Sequence, residues 1–240
     1  MNSIVYSYTN FDYVEIAELW SNYIQKLKLN YVIFCVDKKS YEYLLNKRIN
    51  CELIKNLINS EYDFTDLGLI RFKLMIKLFE NYKYVTYSDV DAFWFKNPLS
   101  ELNENSYDLN LSTVIKRGYP KNIRKKLGAT LCTGWMNLKS SCKYFIQDFI
   151  DNYYKFEGND QGKFNNFLYS VIENLKKEIS DHYFELDLKK YNLKALGLSQ
   201  NIVRRGSDNA NYYIDHPVIG IHGGVRRKIK KLKKMSQVGG

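Results

Sequence analysis

Proline is scarce, with three residues in 240, and none of them marks a boundary between two compositionally distinct halves. No apolar run approaches the roughly 18 residues that a membrane-crossing helix needs, so no transmembrane segment is expected. The opening Met1-Asn2-Ser3-Ile4 lacks a basic stretch leading into a long apolar one, so no signal peptide is expected either. Cysteine occurs four times, at Cys35, Cys51, Cys132 and Cys142, and never as a Cys-x-x-Cys pair. That excludes zinc-finger spacing and a disulfide framework, and points to a reducing, cytoplasmic compartment. Histidine occurs only three times. No internal repeat or low-complexity linker is present, so one domain is expected.

What is present is a normal globular composition, 45% hydrophobic and 26% charged, which excludes a disordered or fibrous chain. The net charge is +10, but it is unevenly placed. Residues 225–240 hold Arg226, Arg227, Lys228, Lys230, Lys231, Lys233 and Lys234 and no acid, so the body of the protein is nearly neutral. A basic tail on a neutral body argues against a nucleic-acid-binding fold with a basic face. Within the tail, Val225, Ile229, Leu232 and Met235 recur at about helical spacing. A cationic amphipathic helix of this kind suits an anionic membrane surface, and a solubilising tail is the alternative.

Periodicity predicts alternating strands and helices. Ser3–Tyr8 is rich in β-branched and aromatic residues and reads as a strand. Tyr13, Ile16, Ala17, Trp20, Ile24 and Leu27 recur at helical spacing. The wholly apolar run 31–36 reads as a buried parallel strand. Helices about 40–45 and 67–79 and a strand Tyr84–Ser88 follow. The second half is less regular. It offers a strand over Leu109–Ile115, a basic loop over Lys116–Gly128, helices over Cys142–Tyr154 and Gln161–Asn174, and short strands at 212–214 and 218–221 around Asp215-His216-Pro217. The alternation predicts an α/β fold with an open sheet and crossover helices, whose ligands gather at the carboxyl ends of the strands.

The residues just beyond Ser88 carry the strongest chemical signal. In Ser88-Asp89-Val90-Asp91-Ala92-Phe93-Trp94, two acids at i and i+2 leave an apolar strand on the same side. Their oxygens can share one hard cation, Mn²⁺ or Mg²⁺, able to bridge the phosphates of a nucleotide and stabilise a departing diphosphate. Two ordinary acids in a solvated loop are the alternative.

Arg71-Phe72-Lys73, followed by the run from Tyr84 to Pro98, resembles the core of the nucleotide-diphospho-sugar transferases. These are glycosyltransferases of the GT-A fold with a D-V-D-x-x-W-x-x-x-P signature, and the similarity is greatest to their retaining members. Leu131-Cys132-Thr133-Gly134-Trp135-Met136 is similar to their L-N-[TS]-G-x-M, with Cys132 where Asn is usual. Asn159-Asp160-Gln161 is similar to [DN]-D-Q. The segment from Ile221 to Lys228 is similar to the terminal H-x-x-G-x-x-K, with Val225 in place of Gly.

The resemblance implies an open, mostly parallel mixed sheet flanked by helices, with a Rossmann-like nucleotide-binding half and an irregular acceptor half. It implies a catalytic domain over 1–224 and a basic tail over 225–240. It also implies transfer of a sugar from a nucleotide-diphospho-sugar, most readily a UDP-sugar, to a glycan or lipid-linked acceptor with retention. Asp89, Asp91 and His222 are the implied metal ligands. Asp89 also faces the donor, together with Arg71, Lys73 and Lys228 at its phosphates and Tyr8 and Thr9 at its base. Asp160 and Gln161 are implied at the anomeric carbon. Several have a plainer alternative: a helix cap for Asp160, a solvated helix face for Lys73, tail membership for Lys228, strand-end packing for Tyr8 and Thr9. An inactive relative that only binds nucleotide or glycan, and a basic-tailed nucleic-acid or membrane adaptor in which the acids are structural, are the competing functional readings.

Overall fold

The computed structural model describes residues 2–54, 67–114, 120–179, 182–199, 201–204, 213–216, 229–230 and 233. Among these, nine strands form one sheet in the order β3-β2-β1-β4-β7-β6-β10-β9-β8. The strands are β1 Ser3–Thr9, β2 Tyr31–Cys35, β3 Cys51–Leu53, β4 Tyr84–Ser88, β6 Leu109–Val114, β7 Thr130–Lys139, β8 Asn174–Ile179, β9 His182–Leu188 and β10 Leu193–Gly197. Only β7 and β9 oppose the common direction. A second, small sheet joins β5 Phe93–Trp94, β12 Ile214–Asp215 and β11 Val203–Arg204.

The parallel half follows from composition. Tyr31-Val32-Ile33-Phe34-Cys35 is buried at every position, as a strand covered on both faces must be. Helix α1, Val14–Lys26, buries Val14, Ile16, Ala17, Trp20 and Ile24 on one stripe. Helix α2, Lys38–Asn46, is capped by Asp37, whose carboxylate accepts from the Ser40 amide at 2.8 Å. Helix α3, Leu67–Leu78, is buried through Phe72, Leu74 and Met75. Two cores result, one on each side of the sheet. One gathers Phe72, Phe145, Phe149 and Phe164 from α3 and from helices α6, Lys143–Asn152, and α7, Asp160–Ser170. The other gathers Trp20, Trp94 and Trp135, with Leu99 and Leu102 of a short helix α4, Leu99–Glu104. Each such side chain contributes about 1.5–3 kcal/mol of burial.

The second half departs from the sequence expectation in several places, strands β9 and β10 among them. Part of the supposed basic loop is helix α5, Lys121–Leu127. It buries Ile123 and Leu127, sets Arg124, Lys125 and Lys126 at its negative end, and closes on Gly128 at φ 83°. Residues 130–139, read only for their motif, form the antiparallel strand β7 between β4 and β6. The helix expected to reach Asn174 stops at Ser170, and Asn174 opens an edge hairpin instead. Strand 218–221 lies outside the described residues. Among the described residues no helix is long and apolar enough to cross a membrane.

Candidate active site

The site forms where β4 ends. Ser88 is buried, and its hydroxyl accepts the indole N–H groups of Trp20 at 3.2 Å and Trp94 at 3.0 Å. This anchors the strand end from two sides. The Asp89 amide donates to the Gly134 carbonyl at 2.8 Å, and the Ala92 amide to the Asp89 carbonyl at 3.0 Å. The resulting tight turn holds Asp89 and Asp91 on one side, as the i, i+2 spacing predicts.

The third group of the cluster is His216. Its Nε2 lies 3.3 Å from Asp89 Oδ2 and 3.3 Å from Asp91 Oδ1. One ligand atom from each of the three residues lies within 4.8 Å of the others. The imidazole arrives through backbone pairing: Ile214 sits opposite Trp94 and Asp215 opposite Phe93, which carries the next residue to the Asp91 turn. Two carboxylates and an imidazole fit Mn²⁺ or Mg²⁺ chemically. The fit is tight at Gly134, where a Cβ would lie 2.2 Å from His216 Cε1 and 2.4 Å from Asp89 Oδ2. Glycine is the residue that lets β7 pass this close.

A second cluster adjoins the first. Arg71, on α3, is buried, and its guanidinium lies over the Tyr87 ring at 4.8 Å. Nη1 donates to the Thr133 carbonyl at 2.7 Å, while Nη2 lies 2.9 Å from Asp160 Oδ2 and 3.5 Å from the Tyr8 hydroxyl. Thr133 Oγ1 donates to the same Asp160 oxygen at 3.1 Å. Arg71 also stands 3.9 Å from Asp89 Oδ1, which accepts from the Tyr87 hydroxyl at 2.5 Å. Burial raises the Asp89 pKa, but the hydrogen bond from His216 and the Arg71 charge outweigh it and hold the carboxyl far below its usual range. Burial likewise pushes the Tyr87 and Tyr8 hydroxyls upward, so both stay neutral donors. Asp160 reaches Arg71 past Gly68, where a Cβ would lie 2.3 Å from Asp160 Cβ.

The structure therefore brings together Tyr8, Arg71, Asp89, Asp91 and Asp160. Asp160 is not the cap of α7; Asn159 is, accepting from the Gly162 amide at 2.9 Å. Gln161 follows in the first turn, half-buried, its carbonyl accepting from Asn165 at 2.7 Å. Thr9 is buried, with its hydroxyl donating to the Asn10 carbonyl at 3.1 Å. Lys73 lies about 200° around α3 from Arg71, and among the described residues no contact joins it to this cluster. His222 and Lys228 lie outside the described residues. His216, Thr133 and Tyr87 escaped the sequence reading. The scarcity of histidine beside a short strand was the available signal for His216, but it did not separate positions 216 and 222.

The family model of the nucleotide-diphospho-sugar transferases matches residues 26–231. The chain belongs to that family. This transferase moves a sugar from a nucleotide-sugar donor. Among solved structures, it resembles the galactosyltransferase LgtC in complex with donor and acceptor sugar analogs, at 12% identity and a TM-score of 0.56. That alignment covers 97% of this chain and 95% of LgtC. It also resembles a glycosyltransferase involved in glycosylation of the major capsid of PBCV-1, at 9% identity and a TM-score of 0.58, over 98% and 100% of the two chains. At these identities the likeness shows the GT-A fold. No curated protein sequence matches the chain.

Proposed function

We propose that this transferase is a metal-dependent enzyme that passes a sugar from a UDP-sugar to a glycan or lipid-linked acceptor with retention of configuration. The convergence of Asp89, Asp91 and His216 at the carboxyl end of β4 carries the metal assignment. When bound there, Mn²⁺ or Mg²⁺ supplies positive charge against the diphosphate as it departs. The protein's own groups do the rest. Asp89, Asp91 and His216 hold the ion. Arg71 adds a fixed guanidinium beside the phosphates, at no orientational cost during reaction because Thr133 and Asp160 already lock it. Tyr8 and Thr9, at the end of β1, face the nucleotide; resemblance assigns Lys73 and Lys228 to the donor side and His222 to the metal, a place that His216 takes in this reading.

Retention requires a group that stabilises developing positive charge on the sugar face opposite the leaving group. Asp160 and Gln161 are assigned there. Two donors converge on Asp160 Oδ2, from Arg71 and Thr133, which suits an electrostatic role for this carboxylate. Residues 1–224 form the catalytic domain, and the basic tail from 225 draws the enzyme to the cytoplasmic membrane surface, where lipid-linked acceptors reside.

The test is a screen of sugar nucleotides for hydrolysis and transfer, with Mn²⁺ and with chelator, alongside Asp91→Asn. Activity with Mn²⁺ that vanishes on chelation, and falls roughly a thousandfold in Asp91→Asn, is expected, since an amide replaces a charged ligand oxygen worth several kcal/mol. Full activity of Asp91→Asn at micromolar Mn²⁺ rules out the metal assignment. NMR of the product anomer tests retention; inversion recasts Asp160 as a general base. Nucleotide binding without turnover would favour the inactive binding module.

A further inference from the structure

Cys132 and Gly134 lie two residues apart on β7, in the stretch where that strand bulges against β6. Both touch the same imidazole. Gly134 leaves room for the His216 ring, with its absent Cβ position 2.2 Å from Cε1 and 3.0 Å from Nδ1. Cys132 Sγ lies 3.8 Å from His216 Nδ1. The same sulfur accepts the Gly134 amide at 3.4 Å. Cys132 is 1% exposed and His216 3%, so these contacts are made out of water.

The ring has two ends with different neighbours. Nε2 faces the two carboxylates at 3.3 Å, and Nδ1 faces the thiol. A histidine that ligates a cation through Nε2 must present a lone pair there, which leaves its proton on Nδ1. That proton needs an acceptor, because a buried donor left unmade costs about 1–3 kcal/mol. The sulfur already receives one N–H from Gly134 and is placed to receive the second. We propose that Cys132 is a positioning residue for His216: its sulfur accepts the Nδ1–H, fixes the tautomer and turns Nε2 toward Asp89 and Asp91. Histidine ligands commonly rely on a carboxylate or carbonyl for this outer contact; here a thiol does it. The geometry also argues that Cys132 is not itself a ligand, since its sulfur meets the ring at the nitrogen that does not face the carboxylates.

This inference rests on the metal reading above, and the experiment separates the two. Mn²⁺ alone is titrated into the full chain, with the free ion followed by EPR. Cys132→Ala is expected to weaken Mn²⁺ binding about ten- to a hundredfold. Cys132→Ser, whose hydroxyl can accept the same N–H, is expected to recover most of that loss. Wild-type affinity in Cys132→Ala overturns the proposal. So does a Cd²⁺–thiolate charge-transfer band in the wild type that disappears in Cys132→Ser, because it would make Cys132 a ligand. If the wild type binds no Mn²⁺, the metal reading fails on its own. The positioning role is then read from nitrogen-15 NMR of the metal-free imidazole. A His216 Nδ1 resonance that shifts in Cys132→Ala and returns in Cys132→Ser supports it, and identical His216 spectra in wild type and Cys132→Ala overturn it.

Discussion

Arg71 Nη2 and Asp160 Oδ2 stand 2.9 Å apart, one side chain on α3 and the other at the start of α7. The Arg71 side chain is 9% exposed and that of Asp160 is 23% exposed. Since Arg71 also bonds the Thr133 carbonyl and lies near Asp89, the pair joins the end of β4 to the start of α7. The family resemblance implied Arg71 at the phosphates; the structure adds that both of its terminal nitrogens are already held by the protein.

Arg71→Lys keeps the charge but loses the fork, and one ammonium cannot serve Asp160 and Thr133 together. The fold should persist, with kcat down about a hundredfold, the scale of a 1 Å misplacement. Arg71→Ala leaves Asp160 without its cation and should cost about 3 kcal/mol of stability. Steady-state kinetics and urea denaturation check both. Wild-type kcat in Arg71→Lys would remove the guanidinium from the mechanism.

His216 and His222 make opposite claims on the third metal position, and single substitutions decide between them. His216→Ala should raise the Mn²⁺ dissociation constant about tenfold or more, given that each 1.4 kcal/mol is a factor of ten. His222→Ala should weaken Mn²⁺ far less. Calorimetric titration of each variant gives the answer. The reverse order would return the ligand role to His222.

Gly134→Ala places a methyl 2.2 Å from His216 Cε1 and 2.4 Å from Asp89 Oδ2. The ring and carboxylate must part to admit it. Overpacking of this kind costs typically about 1–3 kcal/mol, and metal binding should suffer with it. A thermal melt together with Mn²⁺ titration measures both effects. An alanine variant with unchanged melting temperature and Mn²⁺ affinity would show that the His216–Asp89 approach is looser than described.

Deleting residues 230–240 should spare hydrolysis of the free nucleotide sugar and weaken transfer to a membrane-embedded acceptor. Each basic residue near an anionic surface contributes about 1 kcal/mol. The cut falls after Ile229 because that side chain packs against the Trp20 core, so it serves the fold and not the membrane. Lys233 pairs with Glu15 of α1 at 2.9 Å, but at 55% and 50% exposure such a pair contributes little. Co-sedimentation with anionic vesicles at low and high salt is the direct readout. Indifference of the full chain to such vesicles at low salt would leave the tail as a solvated extension.

Local pattern alone determined most of the parallel half; the three-residue edge strand β3 is too short to carry a period and was not legible. The apolar run at 31–35 is a strand because a doubly covered strand is apolar throughout, residues 84–88 read as one from their β-branched and aromatic content, and the 3.6-residue spacing of Ile16, Trp20 and Ile24 is a helix face. Asp89 and Asp91 were legible as a close acidic pair just past a strand end, although a tight turn closed by the Ala92 amide, and not strand alternation, sets them side by side. What tertiary structure decided is every feature that depends on a distant partner. The choice of His216 comes from pairing of Ile214 with Trp94, between two-residue strands too short to carry any periodicity. The inward turn of Arg71 comes from Asp160 and the Thr133 carbonyl, neither nearby in sequence. Cys132 reads only as a departure from the Asn of the family motif until β7 is threaded antiparallel between β4 and β6, which sets it against the imidazole. Periodicity shows which face of an element is buried; it does not show against what, and in this site the identity of the neighbour decides the chemistry.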